Sequence, residues 1–318
     1  MKSRLAMLAA LAISALSVVL AAGRFSNSTV PPPPPVHASL KPSLSSYLGV
    51  FKPGAPPSYE AIANFSVAAG RKPALAGFYS GWAAPFDTAF ADMLHSHGVI
   101  PYVQIDPTDA SVAGIAAGTY DDYLKTYADA VRNFRHPVVI GFGHEMNAPW
   151  FSWGYKKVSP ATFKAAWRHL VEIFRAQGAG NVTWLWTVEA AGPGVEPAES
   201  WWPGDQFVSW VGIDNFYYRS SDTFDTVFGR TITQIRTFTT KPILLSETAV
   251  APAAGQYSKI INLFKGMASD HTLGLVWFDF PQSGGGSRQD WAIENNPSAE
   301  VAFKFAVRTN LTQTSAGA

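Results

Sequence analysis

The chain lacks cysteine and contains no run of basic residues, and each absence excludes a class of protein. Without cysteine, the chain forms no disulfide, offers no thiolate to a metal and carries no lipid on an N-terminal cysteine, so its stability depends on core packing. Charged residues make up 15% of the 318 residues, and the net charge is +1. Nucleic-acid binding needs a basic surface, so we expect no nucleic-acid partner.

Glycine turns that bind phosphate are also absent. No G-x-G-x-x-G segment follows any predicted strand, and the run from Gly284 to Gly286 precedes polar residues rather than a helix. This absence argues against a nucleotide-binding sheet. Aromatic residues, by contrast, are abundant, with 11 Trp, 11 Tyr and 21 Phe. Part of them must fill the core, but several Trp residues lie among Gly, Pro and Asn, where core packing does not easily explain them.

The N-terminus has the composition of a secretory signal over residues 1–23. Lys2 and Arg4 precede an apolar run from Leu5 to Ala22 that ends in small residues, and this order is typical of a signal peptide. We therefore expect a secreted, extracellular protein. The alternative is an uncleaved membrane anchor that tethers the protein to the cell surface, because roughly 18 apolar residues are the lower limit for a spanning helix.

Residues 24–43 are rich in Ser, Thr and Pro and include an unbroken proline run from Pro31 to Pro35. Such a composition is typical of an extended, disordered linker. We predict one folded domain over residues 44–312 and a short C-terminal tail over residues 313–318.

Within the predicted domain, short β-branched or aromatic runs alternate with amphipathic helical windows. The clearest window begins at the N-cap Ser159 with Pro160 at the first helical position, and it ends before Gly178. The predicted strands are Tyr47 to Phe51, Ala74 to Tyr79, Ile100 to Ile105, Val138 to Gly143, Val182 to Thr187, Phe207 to Ile213, Pro242 to Ser246 and Leu273 to Phe278. The predicted helices cover about residues 58–69, 87–97, 120–135, 159–177, 221–238, 256–268 and 298–309.

Strands that alternate with helices indicate parallel βαβ units, because a parallel connection must cross over through a covering layer. Eight such strands predict the α/β class and a closed (β/α)₈ TIM barrel in a single domain. The weakest part of this prediction is Ala191 to Gly204, which is rich in Gly, Pro and Trp and shows no long helix. A doubly wound open sheet is the alternative.

Carboxylates follow several of the predicted strands, at the end of a parallel barrel where catalytic groups lie. Glu145 and Glu247 follow the fourth and seventh strands, and two opposed carboxylates suit glycosidic bond cleavage. Glu247 directly follows an apolar strand without a cationic neighbour in sequence, and burying such a charge is costly unless function retains it. The other carboxylates are expected to orient substrate or to satisfy loop backbone; they are Asp106, Glu189, Asp214 and Asp279.

The stretch GFGHEMNAPWFSWG, residues 141–154, also permits other interpretations. A zinc motif H-E-x-x-H fails because Ala148 occupies the position of the second histidine, so we expect no metal and no cofactor. His144 has the alternative of being an ordinary core histidine. Trp150 and Trp153 either stack on a sugar ring or brace the loop.

These residues resemble glycoside hydrolase family 26, the β-mannanases and related β-glycanases. The resemblance rests on three segments and covers about Tyr47 to Asn310. The segments are His144-Glu145-Met146-Asn147 with Trp150 and Trp153-Gly154, then Trp202-Pro203-Gly204-Asp205 leading to Trp210-Val211-Gly212-Ile213-Asp214, and Ser246-Glu247-Thr248.

The resemblance implies a retaining double displacement on a (β/α)₈ barrel. Glu145 matches the general acid and base, and Glu247 matches the nucleophile. The remaining matched positions are implied to bind substrate; they are His144, Asn147, Trp150, Asp214 and Trp277. The expected protein is a monomeric, secreted endo-β-glycosidase acting on β-1,4-mannan. The alternatives are mixed-linkage β-glucan or xylan as the substrate, or a carbohydrate-binding protein with weak or no activity on the same barrel.

The sequence departs from the family pattern after the predicted sixth strand. Family members usually carry a tyrosine there that hydrogen-bonds the nucleophile, whereas this chain has Phe216 followed by Tyr217 and Tyr218. A shift of one residue would let Tyr217 supply the hydroxyl. A milder departure is Ala148, where glycine is common.

Overall fold

The computed structural model describes residues 40–282 and 289–312, in which eight parallel strands close into a barrel. The strands are β1 (Tyr47–Phe51), β2 (Leu75–Gly81), β3 (Ile100–Asp106), β4 (Val138–Phe142), β5 (Val182–Glu189), β6 (Trp210–Asp214), β7 (Ile243–Thr248) and β8 (Gly274–Phe278). Each strand pairs with the next in sequence, and β8 pairs with β1. The predicted (β/α)₈ barrel is confirmed.

Helices cover the strands in the described part of the chain. They are α1 (Glu60–Ala69), α2 (Thr88–Ser96), α3 (Val112–Ala116), α4 (Asp121–Phe134), α5 (Pro160–Ala176), α6 (Arg230–Ile235), α7 (Gln256–Ser269) and α8 (Pro297–Asn310). Ser159 caps α5 by accepting a hydrogen bond from the Thr162 amide at 3.1 Å, which satisfies one of the free amides of the first turn. Within residues 40–282 and 289–312, no helix is both long and apolar enough to cross a bilayer.

The connection between β5 and β6 contains only short 3₁₀ turns, at Ala198–Trp201 and Asp205–Phe207. The predicted absence of a long helix there is confirmed. The second turn also explains why β6 begins at Trp210 rather than at Phe207. The short α3 is an element that the sequence did not indicate, since five residues are too few for a periodic pattern.

Several predicted segments lie outside the described residues. They are the signal segment over residues 1–23, most of the linker over residues 24–43, the run from Gly284 to Gly286, and the tail over residues 313–318.

Alternating side chains of the strands divide the core into two parts. Side chains such as Leu185, Trp210 and Val276 fill the inside of the barrel, while their neighbours pack between strands and helices. Above the apolar filling, Gln104 and Ser246 lie beside glycines: a Cβ on Gly141 would lie 1.9 Å from Gln104 Oε1 and one on Gly212 would lie 2.4 Å from Ser246 Oγ. These glycines therefore make room for polar groups beneath the barrel mouth.

Candidate active site

The mouth of the barrel collects carboxyl groups from neighbouring strands. They lie at or just after the carboxyl ends of neighbouring strands, where side chains of a parallel barrel converge. The members are Asp106 of β3, Glu145 after β4, Glu189 of β5, Asp214 of β6 and Glu247 of β7. Asp279 differs from them, because it is completely buried in an ion cluster with Lys52 and Glu294. Of the six carboxylates predicted to lie at strand ends, five therefore belong to the mouth.

Glu145 is held in a strained backbone conformation. Its φ angle is +53°, in the left-handed region that side chains other than glycine rarely adopt, and such strain is common at functional sites. The Glu145 amide donates to the Thr187 carbonyl at 3.0 Å. The indole N–H of Trp150 donates to Glu145 Oε2 at 2.5 Å. Backbone and side chain thus each have a hydrogen-bond partner, and the residue is only 8% exposed.

Glu247 is buried on β7, next to an irregularity in the strand pairing. The register shifts between Leu245 and Thr248 against β8, and such bulges turn a side chain towards an active site. The hydroxyl of Tyr79 on β2 donates to Glu247 Oε1 at 2.7 Å. Burial raises the pKa of Glu247 to about 7, with Glu145 adding to the rise and His144 opposing it. Glu247 is therefore a carboxylate that ionises near neutral pH.

Tyr79 stays protonated under these conditions. Burial, together with the neighbouring Glu247 carboxylate, raises the pKa of Tyr79 well above its usual value. Its ring stacks on Phe51 at a centroid distance of 4.9 Å and lies 5.6 Å from the His144 ring. The hydroxyl can consequently act as a fixed hydrogen-bond donor towards Glu247.

His144 supplies the positive charge of the site. Its Nδ1 lies 3.0 Å from Asp106 Oδ1. Although burial lowers the pKa of His144, the hydrogen bond and charge of Asp106, with the charges of Glu247 and Glu145, raise it to about 9. The imidazolium therefore favours the ionised forms of the two glutamates. His144 is more than a neutral core histidine, although it is only 5% exposed.

Asn147 does not have the position expected of a substrate ligand. It is 1% exposed, and its amide donates to the carbonyls of Glu189 at 2.9 Å and Glu196 at 3.3 Å, while its oxygen accepts from the Glu189 amide at 2.9 Å. Both ends of the amide are used within the protein, and the substrate contact stays a prediction. Asn147 instead fixes the end of β5 to the loop after β4.

Asp214 and Trp277, which are also predicted to bind substrate, are both buried. Asp214 pairs with Glu247 in the strand register but is completely buried, and it accepts from the Ser246 hydroxyl at 2.5 Å. Trp277 is completely buried on the outer side of β8, where its ring lies 5.0 Å from Phe303 of α8. Neither side chain has exposed surface, and their contact with substrate stays a prediction. Asp214 acts electrostatically next to Glu247, and Trp277 packs the barrel against its helices.

The two tryptophans of the β4 loop have different roles. Trp150 is 53% exposed and reaches the carboxyl group of Glu145, so its ring can meet a ligand. Trp153 is 2% exposed, donates to the His144 carbonyl at 2.8 Å and stacks on Phe151 at 4.5 Å. Trp153 therefore braces the loop, and Trp150 faces the site.

The hydroxyl next to Glu247 comes from a residue that the sequence reasoning missed. Tyr217 is completely buried and its hydroxyl donates to Asn262 at 3.2 Å, so it does not replace the tyrosine absent at Phe216. Phe216 packs against Phe278 and Trp291. Tyr79 supplies the hydroxyl instead. Its position as the last residue of a predicted strand was the only signal for it.

Two clefts extend the site alongside Tyr79. One, of about 490 Å³, runs from Tyr79 towards Phe86 and Thr88. The other, of about 200 Å³, lies between Phe51, Tyr79 and Phe280. Both clefts share the Tyr79 side chain, which contacts Glu247. Among the described residues, no three side chains of the His, Asp or Glu type are arranged to hold a metal ion.

The surroundings of the two central glutamates differ in a way that favours different chemical roles. Burial raises the pKa of Glu145, with His144 and the Trp150 hydrogen bond opposing the rise. Glu247 has its own donor in Tyr79 and faces the His144 imidazolium. Two titratable groups in one cleft with different partners are suited to act as a proton donor and a nucleophile.

Comparisons with known proteins agree with this chemistry. The model of the family described as glycosyl hydrolase family 26 matches residues 104–302. The chain is 28% identical over 286 residues to endoglucanase H of Acetivibrio thermocellus, covering 83% of this chain and 31% of that protein. It is also 29% identical over 111 residues to a β-1,3-xylanase of a Vibrio species, covering 34% of this chain and 23% of that protein. The chain thus spans about a third or less of these curated relatives.

A solved structure shows the same architecture. The double mutant of the Cellulomonas fimi endo-β-1,4-mannanase superposes with a TM-score of 0.68 at 16% identity, over 86% of this chain and 73% of that one. At this level of identity the likeness shows the fold alone.

Proposed function

Because the chain belongs to glycosyl hydrolase family 26, we propose that it is a retaining endo-β-glycosidase that hydrolyses a β-linked polysaccharide. One observation carries this proposal: Glu145 and Glu247 are buried together at the barrel mouth, each with its own hydrogen-bond donor. In the proposed reaction, Glu247 is the nucleophile and Glu145 is the general acid and base.

The proposed reaction has two steps. Glu145 gives its proton to the departing glycosidic oxygen while Glu247 attacks the anomeric carbon, so the C–O bond breaks and a glycosyl ester forms. A water molecule then attacks the same carbon, gives its proton to Glu145 and releases Glu247. With Oε1 of Glu247 engaged by Tyr79, Oε2 is the oxygen that attacks in this scheme.

The Tyr79 hydrogen bond also bears on the alternative of a binding protein without activity. Two features of the sequence favour that alternative, the proline-rich linker and Phe216, which leaves no tyrosine hydroxyl at its position. A donor from β2 at 2.7 Å orients the carboxyl group of Glu247 in the same manner. The proposed enzyme therefore does not need a tyrosine after β6.

We propose a β-linked glucan as the first substrate to test. The sequence similarity that covers most of this chain is to a protein named endoglucanase H, whereas the likeness to the mannanase shows the fold alone. Hydrolysis of β-1,4-mannan remains a prediction from the sequence, as does secretion from the signal-like segment over residues 1–23. A polysaccharide outside the cell would require such export.

A substrate panel tests the proposed function. Purified protein is incubated with mixed-linkage β-glucan, β-1,4-mannan, β-1,3-xylan and β-1,4-xylan, and reducing sugar release is measured together with viscosity. We expect one polysaccharide to lose viscosity early, as internal cleavage requires. In proton NMR of the first minutes, the new reducing end should carry the β configuration of the substrate. Binding to a polysaccharide without sugar release would favour the carbohydrate-binding alternative, and an α product would contradict retention.

The Tyr79→Phe variant tests the orienting hydrogen bond. We expect kcat to fall roughly 10- to 100-fold, because a hydrogen bond to a charged group is worth about 1.5–3 kcal/mol. The hydroxyl lowers the pKa of Glu247, which is about 7 in the intact site, and Glu247 must be ionised to attack. Removing the hydroxyl should therefore move the acidic limb of kcat/KM to higher pH.

The control for Tyr79 is Tyr257→Phe, which changes an exposed tyrosine on α7. It should leave both the rate and the pH profile unchanged. An acidic limb of Tyr79→Phe that coincides with that of the unmodified protein would show that the hydroxyl does not act on Glu247.

A further inference from the structure

Tyr218 is an exposed aromatic residue on the mouth side of the barrel. It lies in the loop after β6, on the face where the strands end and the carboxylates converge. Three residues before it, the amide of Asn215 donates to the Glu247 carbonyl at 3.1 Å. The Cα atoms of Asn215 and Tyr218 are at most about 11 Å apart, since that is the reach of three extended residues. Tyr218 is 55% exposed, so the loop carries a large, accessible ring near the proposed nucleophile.

The backbone on both sides of this ring is held by hydrogen bonds. Tyr217 donates from its amide to the Ala249 carbonyl, and its own carbonyl accepts from the Ala251 amide, each at 2.9 Å. The amide of Tyr218 donates to Asp222 Oδ2 at 2.7 Å. A side chain on such a fixed backbone loses little further freedom when a ligand binds, which favours binding.

The ring of Tyr218 is also supported from the side. It meets the ring of Trp291 edge to face, with 5.4 Å between the centroids and an angle of 76°. Trp291 is fixed in turn, because its amide donates to the Phe280 carbonyl at 2.8 Å and its carbonyl accepts from the Trp277 indole at 2.9 Å. Trp291 is 5% exposed. A buried indole therefore supports the tyrosine ring, and more than half of the tyrosine still faces solvent.

Four further rings connect Tyr218 with the cleft at Tyr79; in order, they are Trp291, Phe216, Phe278 and Phe280. Neighbouring ring centroids along this aromatic band lie 4.1–5.5 Å apart. Phe280 also lines the cleft of about 200 Å³ that contains Tyr79, whose hydroxyl donates to Glu247. The band thus runs from the loop after β6, past the end of β8, to the site itself. Tyr218 is at its outer end.

The chemistry of the band and the mouth favours an uncharged ligand with a flat apolar face. The face of an aromatic ring is apolar and slightly negative, which suits the C–H groups on the face of a pyranose ring. The carboxyl groups at the strand ends disfavour an anionic ligand. A single exposed aromatic residue is ordinary on a protein surface. Tyr218 differs because its ring is supported, its backbone is fixed and the band continues into the site.

We propose that Tyr218 is a sugar-binding platform, whose ring stacks on a pyranose unit of the polysaccharide at the outer end of the aromatic band. This inference rests on the proposed function and assigns a further binding residue for its substrate. The bound chain then extends from Tyr218 along the band to the cleft at Tyr79. The platform holds a unit away from the scissile bond and takes no part in the chemical steps.

The Tyr218→Ala variant removes the platform. We expect KM on the active polysaccharide to rise about 10- to 30-fold, as when an anchoring aromatic side chain is truncated at a binding surface. The value of kcat should change little, because the ring touches no reacting atom. A dinitrophenyl glycoside of a single sugar does not reach the outer end of the band, so its kcat/KM should stay unchanged. Initial rates over a range of substrate concentrations measure these constants.

Two further variants give the comparison its controls. Tyr218→Phe keeps the ring without the hydroxyl and should retain the KM of the unmodified protein. Phe305→Ala removes an exposed ring from α8, which is 41% exposed and lies outside the band, and it should also leave KM unchanged. An unchanged KM in Tyr218→Ala would overturn the proposal. So would equal losses in Tyr218→Phe and Tyr218→Ala, or an equal loss on the dinitrophenyl glycoside.

A binding measurement separates this inference from the proposed function. Gel electrophoresis with polysaccharide in the gel follows binding to Glu247→Gln, with and without Tyr218→Ala, and needs no hydrolysis. If the panel shows no hydrolysis but retardation by a polysaccharide depends on Tyr218, the proposed function fails and the platform stands. If hydrolysis is found and neither KM nor retardation depends on Tyr218, the platform is rejected. A protein that neither hydrolyses nor binds any polysaccharide of the panel would contradict both.

Discussion

The Glu247→Ala variant is expected to lose roughly 10⁴- to 10⁶-fold in kcat on the active polysaccharide, the range seen when an enzyme loses its nucleophile. The loss follows from the proposed mechanism, since without this carboxyl group no glycosyl ester forms. The Tyr79 hydroxyl and the His144 imidazolium would still be present but would have no carboxylate to orient. The measurement is reducing sugar release over days, with enzyme at a concentration high enough to detect the residual rate.

Added azide gives this prediction a second, stereochemical readout. A small anion can occupy the space of the missing carboxyl group and attack the anomeric carbon of a dinitrophenyl glycoside directly. One displacement instead of two inverts the configuration, so the product should be an α-glycosyl azide. A β-glycosyl azide, or a rate within tenfold of the unmodified protein, would assign the nucleophile to another residue.

A stability measurement on Glu247→Gln shows whether a substitution at this position leaves the protein folded, and the pKa of Glu247 predicts its result. The pKa of Glu247 in the folded protein is about 7, above the ordinary value of 4.5. The folded state therefore loses stability as the pH rises from 4.5 to 7, because Glu247 must ionise while buried, and the loss persists at higher pH. Glu247→Gln removes this cost. At pH 8 it should unfold at the same temperature as the unmodified protein or at a higher one, whereas Glu172→Ala on the exposed face of α5 should change neither stability nor rate.

The fold was predictable because its signals are local and periodic. The strand runs and the capped window from Ser159 to Gln177 each contain their information within a few neighbouring residues, and the structure places β1 and α5 almost at the predicted bounds. The exception at β6 has a local cause too. Asp205–Phe207 forms a turn, so the apolar Phe207 belongs to the core without belonging to the strand.

The site was predictable only in part, because side-chain direction is not contained in a matched motif. Along β8, Val276 points into the barrel, Trp277 points towards α8 and Phe278 points inward again. The match to family positions selected Trp277, which is one residue from an inward position. Successive side chains of a strand point to opposite faces. The alternation along β8, rather than the matched motif, therefore indicates which side chains point into the barrel.

Contacts across the barrel could not be predicted at all. Tyr79 and Glu247 are 168 residues apart in sequence, and only closure of the barrel brings β2 and β7 into reach of each other. The same holds for the loop after β4, where the Asn147 side-chain oxygen accepts from the Glu189 amide 42 residues further along the chain. The sequence indicated which carboxylates lie at the strand ends, but not which side chains contact them.

The Glu145→Ala variant should show a loss that depends on the leaving group. On the polysaccharide, whose departing sugar needs a proton, we expect kcat/KM to fall roughly 10²- to 10⁴-fold, the usual contribution of general acid catalysis. On a dinitrophenyl glycoside, the first step needs no proton, so kcat/KM should stay close to that of the unmodified protein. Turnover of this substrate should nevertheless be slow, because no base remains to activate water and the glycosyl ester on Glu247 accumulates.

Azide distinguishes the role of Glu145 from that of Glu247. An anion needs no base, so in Glu145→Ala it should attack the accumulated ester and restore turnover, and two displacements should give a β-glycosyl azide. The product configuration thus reports which carboxyl group is missing, β for Glu145 and α for Glu247. Trp150→Phe is the matched control, since it removes the donor to Glu145 Oε2 but keeps an aromatic ring and the Glu145 carboxyl group, and it should retain turnover without azide. Equal losses of Glu145→Ala on both substrates would contradict the assignment of Glu145 as the acid.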